Sequence, residues 1–322
     1  MLGARSLPCI AACAVAMAPA AIAHAQSFPA RAIHIVTSEP GGGNDFAARL
    51  IVPGVSASLG QQVIVDNRGP GIIPSTTVSR AAPDGYTLLL HGSSIWLSAF
   101  LQDNVPYDAL RDFSPITILT AAPNILMIHP SLPVKSVKDL ITLAKNRPGE
   151  LNYGASGVAS SPSLAAELFK VMAGVNIVRI NYRGGGPAAN ALIAGEVQMV
   201  VGAPGGAMPH IKSGRVRALG VTSAQASMLA PGIPTVAATG LPGYEYSAAY
   251  GVFAPAKTPG AIISRLNQDI ARALTAADVK DKFLRGGVEP IGGPPEQLAA
   301  KMKHDMTYLG KLIKDLGIRG ES

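Results

Sequence analysis

The sequence predicts an α/β protein of two domains, each a mainly parallel sheet flanked by helices. Three observations carry this. Short continuous apolar runs rich in Val, Ile and Leu recur along the chain, and helical patterns separate many of them. The remaining length after an export leader, about 297 of 322 residues, suits two domains better than one.

The leader comes first. Arg5 precedes the apolar "LPCIAACAVAMAPAAIA", and "AHA" offers small residues for cleavage between Ala25 and Gln26. A membrane anchor is the alternative, but the run is short for a span and is broken by Pro8 and Pro19. "IAAC" (Ile10 to Cys13) resembles a lipoprotein box with too little apolar segment before it. Both cysteines, Cys9 and Cys13, lie in the leader, so the exported chain has neither disulfide nor thiolate chemistry. Export without disulfides points to a bacterial periplasm.

In order, "IHIV" at 33–36 reads as a strand and leads through "TSEPGGGND" into the helical "FAARLIVPGVSASLG". "VIV" at 63–65, "YTLLL" at 86–90, "ITIL" at 116–119 and "ILMI" at 125–128 read as further strands. "SVKDLITLAKN", "SLAAELFKVMAG" and "AANALIAGE" are helical, and among them fall the runs "VNIVRI" at 175–180 and "VQMVVG" at 197–202. "VRALGV" at 216–221 and "YGVFAP" at 250–255 complete the strands. Thr258 before Pro259 reads as the N-cap and first turn of "GAIISRLNQDIARAL". A last amphipathic helix runs from about Pro295 to Leu316 and stops at Gly317.

The two halves echo one another weakly. Each has a strand that enters a small-residue loop opening a helix: "TSEPGGGND" in one, "NYGASGVASS" (Asn152 to Ser161) in the other. Such a loop presents unpaired N–H groups and the positive end of a helix dipole, which suits a carboxylate; a plain tight turn is the competing reading. "GGGND" does not supply the G-x-G-x-x-G of a dinucleotide loop, and no G-K-[ST] follows for a triphosphate.

"GASG" misses the serine-hydrolase elbow by one residue. The histidines His34, His91, His129, His210 and His304 have no metal spacing, so no metal, cofactor or catalytic residue is expected; His91, directly after "YTLLL", is the one placed to line a cleft. The net charge of +7, or +6 without Arg5, is scattered rather than clustered. That argues against nucleic acid and leaves a weak bias toward anionic small molecules.

Several blocks together resemble a known family: "VTSEPGGGND", "VIVDNRGPG", "SRAAPDGYTLLL", "VPYDALRDFSPIT", "LNYGASGVASS", "INYRGGGPAANALIAGEVQMV", "MPHIKSGRVRALGVTS" and "LPGYEYSAAYGVFAPAKTP". They look like the solute-binding proteins of the tripartite tricarboxylate transporters, the Bug family. The resemblance covers essentially the whole exported chain. It implies a monomeric periplasmic binding protein of the type II fold that closes on a small carboxylate and passes it to membrane permease subunits. Reporting to a membrane sensor is an alternative role, and a periplasmic enzyme acting on a carboxylate is a more distant one. The implied domains are residues 27–123 with 253–322, and residues 124–252. The crossings lie near "NILMIHP" and "AAYGVFAPA".

Carried onto these residues, the first cradle falls on Ser38, Glu39, Gly41, Gly42, Gly43 and Asn44, with Asp45 either touching ligand or capping the helix. The second falls on Ala155, Ser156, Ser160 and Ser161. Ser93 and Ser94 line the side, as do Gly202 and Ala203 after the "VQMVVG" strand. The chain departs from the family pattern at Ser38, where an aromatic is common, and at Ser163, where a histidine is. It departs again at Gly202, often an aspartate, and at Ala249, often a tryptophan. Glu39 facing inward would repel a carboxylate and favour a cationic or donor group; facing outward it would simply be solvated. Trp96 is either a wall for an aromatic ligand or a core residue.

Overall fold

The structure is a computed structural model and describes residues 28–69, 71–155, 160–182, 184–315 and 317. The leader, its cleavage site and Ser156 lie outside the described residues. The chain begins with β1 (Ile33–Thr37), α1 (Gly43–Leu59), β2 (Val63–Asn67), α2 (Ile73–Ser79), β3 (Thr87–Gly92), α3 (Ser94–Leu101) and the long β4 (Phe113–Pro123). It continues with β5 (Ile125–Ile128), α4 (Val137–Asn146), β6 (Asn152–Ala155), α5 (Ser161–Ala173), β7 (Val178–Asn181) and α6 (Gly185–Ala194). Then come β8 (Met199–Gly202), α7 (Pro204–Lys212), β9 (Arg217–Val221) and α8 (Val236–Thr239). β10 (Ser247–Pro255), α9 (Gly260–Thr275), α10 (Ala277–Arg285), β11 (Glu289–Pro290) and α11 (Pro295–Asp315) finish it.

These strands make two sheets flanked by helices. The first has the order β11-β4-β10-β3-β1-β2 and the second β7-β6-β8-β5-β9. The α/β expectation holds, with one correction: the sheets are mixed rather than mainly parallel. Strands followed by a helical crossover pair in parallel, namely β1 with β2 and β3, and β6 with β7 and β8. Around β10, β4 and β5, the strands next to the crossings, pairing is antiparallel. A run apolar on both faces reports burial, not direction, so the pattern alone overstated the parallel share.

Local chemistry explains the smaller differences. Thr258 does not cap α9: Pro259 stands at the N-cap, and the Thr258 hydroxyl donates to the Pro255 carbonyl at 2.8 Å, closing the turn out of β10. β7 is an edge strand, so Val178 and Ile180 stay partly in water despite their apolar character. Among the described residues no helix is long and apolar enough to cross a membrane.

Three apolar clusters hold the layers. One packs α1, α9 and α10 against the first sheet through Ile51, Ile270 and Phe283. Another packs α6 and α7 on the second sheet through Leu192, Val200 and Ala207. The third joins the sheets, with Leu89, Trp96, Phe253 and Leu309 from one side and Tyr153 and Phe169 from the other. Trp96 is fully buried there and donates its Nε1–H to Asp305 at 3.0 Å, so it is a core residue rather than a ligand wall.

The sheets meet where the chain crosses. Asn124, between β4 and β5, exchanges hydrogen bonds with Thr222, and the Tyr246 amide donates to the Thr222 carbonyl at 2.8 Å. In the register, Tyr250 near the start of β10 sits opposite Gly92, the end of β3, and Ile125 sits opposite Gly202, the end of β8. The carboxyl ends of the parallel strands in both sheets therefore point toward the crossing.

Candidate functional site

Six helices start at those carboxyl ends: α1, α2 and α3 after β1, β2 and β3, and α5, α6 and α7 after β6, β7 and β8. Each start leaves backbone N–H groups without an intrahelical partner and carries partial positive charge. The crossing thus separates two rims of amide donors.

The first rim is built around "TSEPGGGND". Thr37 is buried and its hydroxyl donates to the Leu90 carbonyl at 3.0 Å, tying β1 to β3 just before the loop. Gly41 has φ +84°, a left-handed value that a side chain would strain. Gly42 is the N-cap of α1 with extended backbone. Asp45 then folds back on its own loop. Its Oδ2 accepts from the Gly41 amide at 3.0 Å, and its Oδ1 accepts from Arg49 at 2.8 Å and Asn67 at 2.9 Å. Asn67 also holds the Ser38 carbonyl at 2.7 Å. Burial pushes the Asp45 carboxyl up, but the hydrogen bonds from Arg49, Gly41 and Asn67 outweigh it and hold it at about 2. Asp45 is a brace for the loop, and the Gly41 amide is engaged in the brace.

Ser38, Glu39 and Asn44 line a cavity of about 310 Å³, together with His91 and Ser94 from the end of β3 and the start of α3. Glu39 is exposed yet on the wall of this cavity. Asn44 donates its amide to the Ser38 hydroxyl at 2.6 Å, while its Oδ1 is buried without a hydrogen-bond partner. His91 is buried, and desolvation lowers its pKa against the opposing pull of the Gly92 and Gly71 carbonyls and the Glu39 charge, so the ring is neutral near pH 7. The Ser93 hydroxyl is engaged with the Ala249 backbone, donating to its carbonyl at 3.2 Å and accepting from its amide at 3.1 Å.

On the second rim, Ala155 ends β6, and its carbonyl accepts from the Tyr182 amide at 2.8 Å. Ser160 is the N-cap of α5, accepting from Ser163. The Ser161 hydroxyl accepts from Asn124 at 3.0 Å, which fastens the start of α5 to the crossing. Gly202 and Ala203 line a second cavity, of about 390 Å³, between the starts of α6 and α7 with Gly185 and Gly186.

One residue on the first rim escaped the sequence reading. Tyr250 reaches from β10 over the glycine loop: a β-carbon on Gly43 would collide with its hydroxyl, and one on Gly92 would lie 3.1 Å from its ring. The signal was an aromatic within the small-residue stretch "SAAYGVF", but only the β10–β3 register puts it over the loop. Among the described residues no group of three His, Cys, Asp or Glu side chains is placed to hold a metal.

Residues 47–318 match the family described as the tripartite tricarboxylate transporter family receptor. A UPF0065 protein of Pseudomonas sp. (strain P51) is 38% identical over 291 residues, 89% of this chain and 87% of that protein. BugT of Bordetella pertussis is 34% identical, with 93% and 94% covered. The structure of Rpa4515 of R. palustris with adipate is 34% identical and covers 91% of this chain and 99% of its own, with a TM-score of 0.62. This chain belongs to the tripartite tricarboxylate transporter receptor family, a family of solute-binding proteins with Bug members.

Proposed function

We propose that this family member captures a small organic carboxylate between the two rims and hands it to membrane permease subunits of a tripartite tricarboxylate-type transporter. The observation that supports this best is the pair of helix-start rims, one at the carboxyl ends of the parallel strands of each sheet, each with a cavity of its own. Amides at a helix start suit a carboxylate, and each charge-assisted hydrogen bond contributes about 1.5–3 kcal/mol. The relative Rpa4515 was solved with adipate, a small dicarboxylate. This reading takes residues 27–123 with 253–322 as one lobe and residues 124–252 as the other, except that residues 247–252 pair in the first sheet as part of β10 and go with the first lobe; the hinge lies where Asn124 and Tyr246 meet Thr222. In this reading the leader "LPCIAACAVAMAPAAIA" directs export to the periplasm, where the protein works as a monomer that binds and releases its solute without bond chemistry.

The contact residues of this reading are the backbone of Gly42, Gly43 and Asn44, with Ser38, Ser94 and Tyr250, on one rim. Ser160, Gly202 and Ala203 serve on the other. Gly42 offers the cleanest test, because its backbone is ordinary and a β-carbon would meet nothing nearer than the Glu39 carbonyl at 3.6 Å. A thermal-shift screen of mono- and dicarboxylates, aromatic acids and amino acids should find a ligand that stabilises by about 2.7 kcal/mol at a hundred times its Kd. Gly42→Leu should melt like the parent protein but lose that shift. A Gly42→Leu protein with unchanged affinity would contradict the reading.

A further inference from the structure

We propose that Glu289 latches the two lobes open from the far side of the crossing, so that this contact sets how readily the rims close on a solute. The proposal rests on the two-lobe receptor reading above and adds a positioning residue that lies outside the site it governs. Three observations lead to it.

The first is the place of the strands. In the first sheet, β11-β4-β10-β3-β1-β2, the crossing strands β4 and β10 separate β11 from the rim strands β3, β1 and β2. In the second sheet, β7-β6-β8-β5-β9, the crossing strand β5 separates β9 from the rim strands β8, β6 and β7. Glu289 of β11 accepts from the Ser227 hydroxyl at 2.5 Å and the Leu229 amide at 3.0 Å, both in the segment after β9. The lobes are thus hydrogen-bonded to one another on the side away from the rims. A rotation about the crossing that brings the rims together draws β11 away from that segment, as the two arms of a lever move in opposite senses.

The second is the way the cavities are shared. Each rim cavity is lined by one lobe alone, the first by residues between 38 and 102 and the second by residues between 127 and 210. The cavity beside Glu289, of about 190 Å³, is lined by both lobes. Ala121, Ile291 and Lys301 come to it from the first lobe, and Ser223, Gln225 and Glu245 from the second. The lobes stand apart at the rims and together at β11, which is the arrangement of an open form.

The third is the chemistry of the contact. Glu289 is buried, and one of its oxygens answers two donors of the other lobe. Lys301 on α11 adds a second tie, 3.9 Å from Glu245 just before β10. Closure has to break these contacts, and their free energy is subtracted from what the solute gains at the rims. Removing Glu289 weakens only the open form, so the closed form becomes more populated and the solute binds more tightly.

Distance measurement between two spin labels tests this. Cys9 and Cys13 are the only cysteines and leave with the leader, so Thr77→Cys on α2 and Ala194→Cys on α6, both exposed, take one label in each lobe. In Glu289→Ala without solute, the fraction of molecules at the shorter distance should rise at least about threefold over the parent, even though the variant is less stable to denaturant. Ser227→Ala, which removes one of the two donors, should move it the same way by less, and serves alone if Glu289→Ala does not fold. Saturating succinate, glutarate, adipate or benzoate should shorten the same distance in the parent. A parent that shortens with an acid, beside variants that lose stability but keep the parent's distances, would overturn the latch and leave the receptor reading standing. Variants that shorten, beside a parent that none of the acids moves, would support the latch and contradict the receptor reading. Distances unmoved in every sample would overturn both.

Discussion

At Asp45 the fold answers a question that the sequence position leaves open. "GGGND" allows the carboxylate either to meet ligand or to cap the following helix. The structure shows a fold-back onto Gly41 with Arg49 and Asn67 closing the ring. Gly41 and Arg49 are four residues away and consistent with a cap, but Asn67 arrives from β2, which local sequence cannot foresee. The brace has a pH signature. The folded-state pKa, about 2, is depressed below the usual carboxylate value, so the contribution is present above about pH 4 and fades as pH falls toward 2. Asp45→Asn should therefore cost about 2 kcal/mol at pH 7, with the gap to the parent closing under acid. Urea melts of both proteins at pH 7 and pH 3 measure it; a gap that is the same at both would count against the brace. Tyr250 illustrates the limit of reading residues one at a time, since its place over Gly43 depends on a strand some two hundred positions downstream.

At the scale of elements, strands were easier to read than their directions. Every apolar run from "IHIV" to "YGVFAP" falls wholly or partly on a strand, because burial between helices requires continuous Val, Ile and Leu. The short helices α2 and α3 went unread: each is about two turns, too short for a periodic pattern to emerge. β11 is shorter still, yet it carries a contact between the sheets. Its Glu289 is buried and accepts from the Ser227 hydroxyl at 2.5 Å and the Leu229 amide at 3.0 Å, both in the segment after β9. Glu289→Ala leaves two donors without their acceptor and should cost about 1–3 kcal/mol. Denaturant unfolding should show the loss while the secondary-structure signal of the native state is unchanged. A substitution with no effect would mean that the segment finds water as readily as Glu289.

At the scale of the molecule, two sheets share one apolar cluster, and a rim of helix starts follows the parallel strands of each sheet. The cluster includes Trp96, tied to Asp305 on α11, whose carboxyl is raised by burial and steadied by Lys301 and the indole. The sequence makes the α/β class and the first glycine loop legible. The place of the helix starts relative to the crossing needs the strand register, and the unpartnered Asn44 oxygen needs atomic packing.

The central claim is that backbone amides from both sheets hold one solute. Hydrogen–deuterium exchange with and without a bound carboxylate or amino acid tests it most directly. The account predicts slowed exchange at residues 42–45 of the first rim together with residues 160–163 and 203–206 of the second. Protection confined to one rim, or absent from both at saturating ligand, would contradict it.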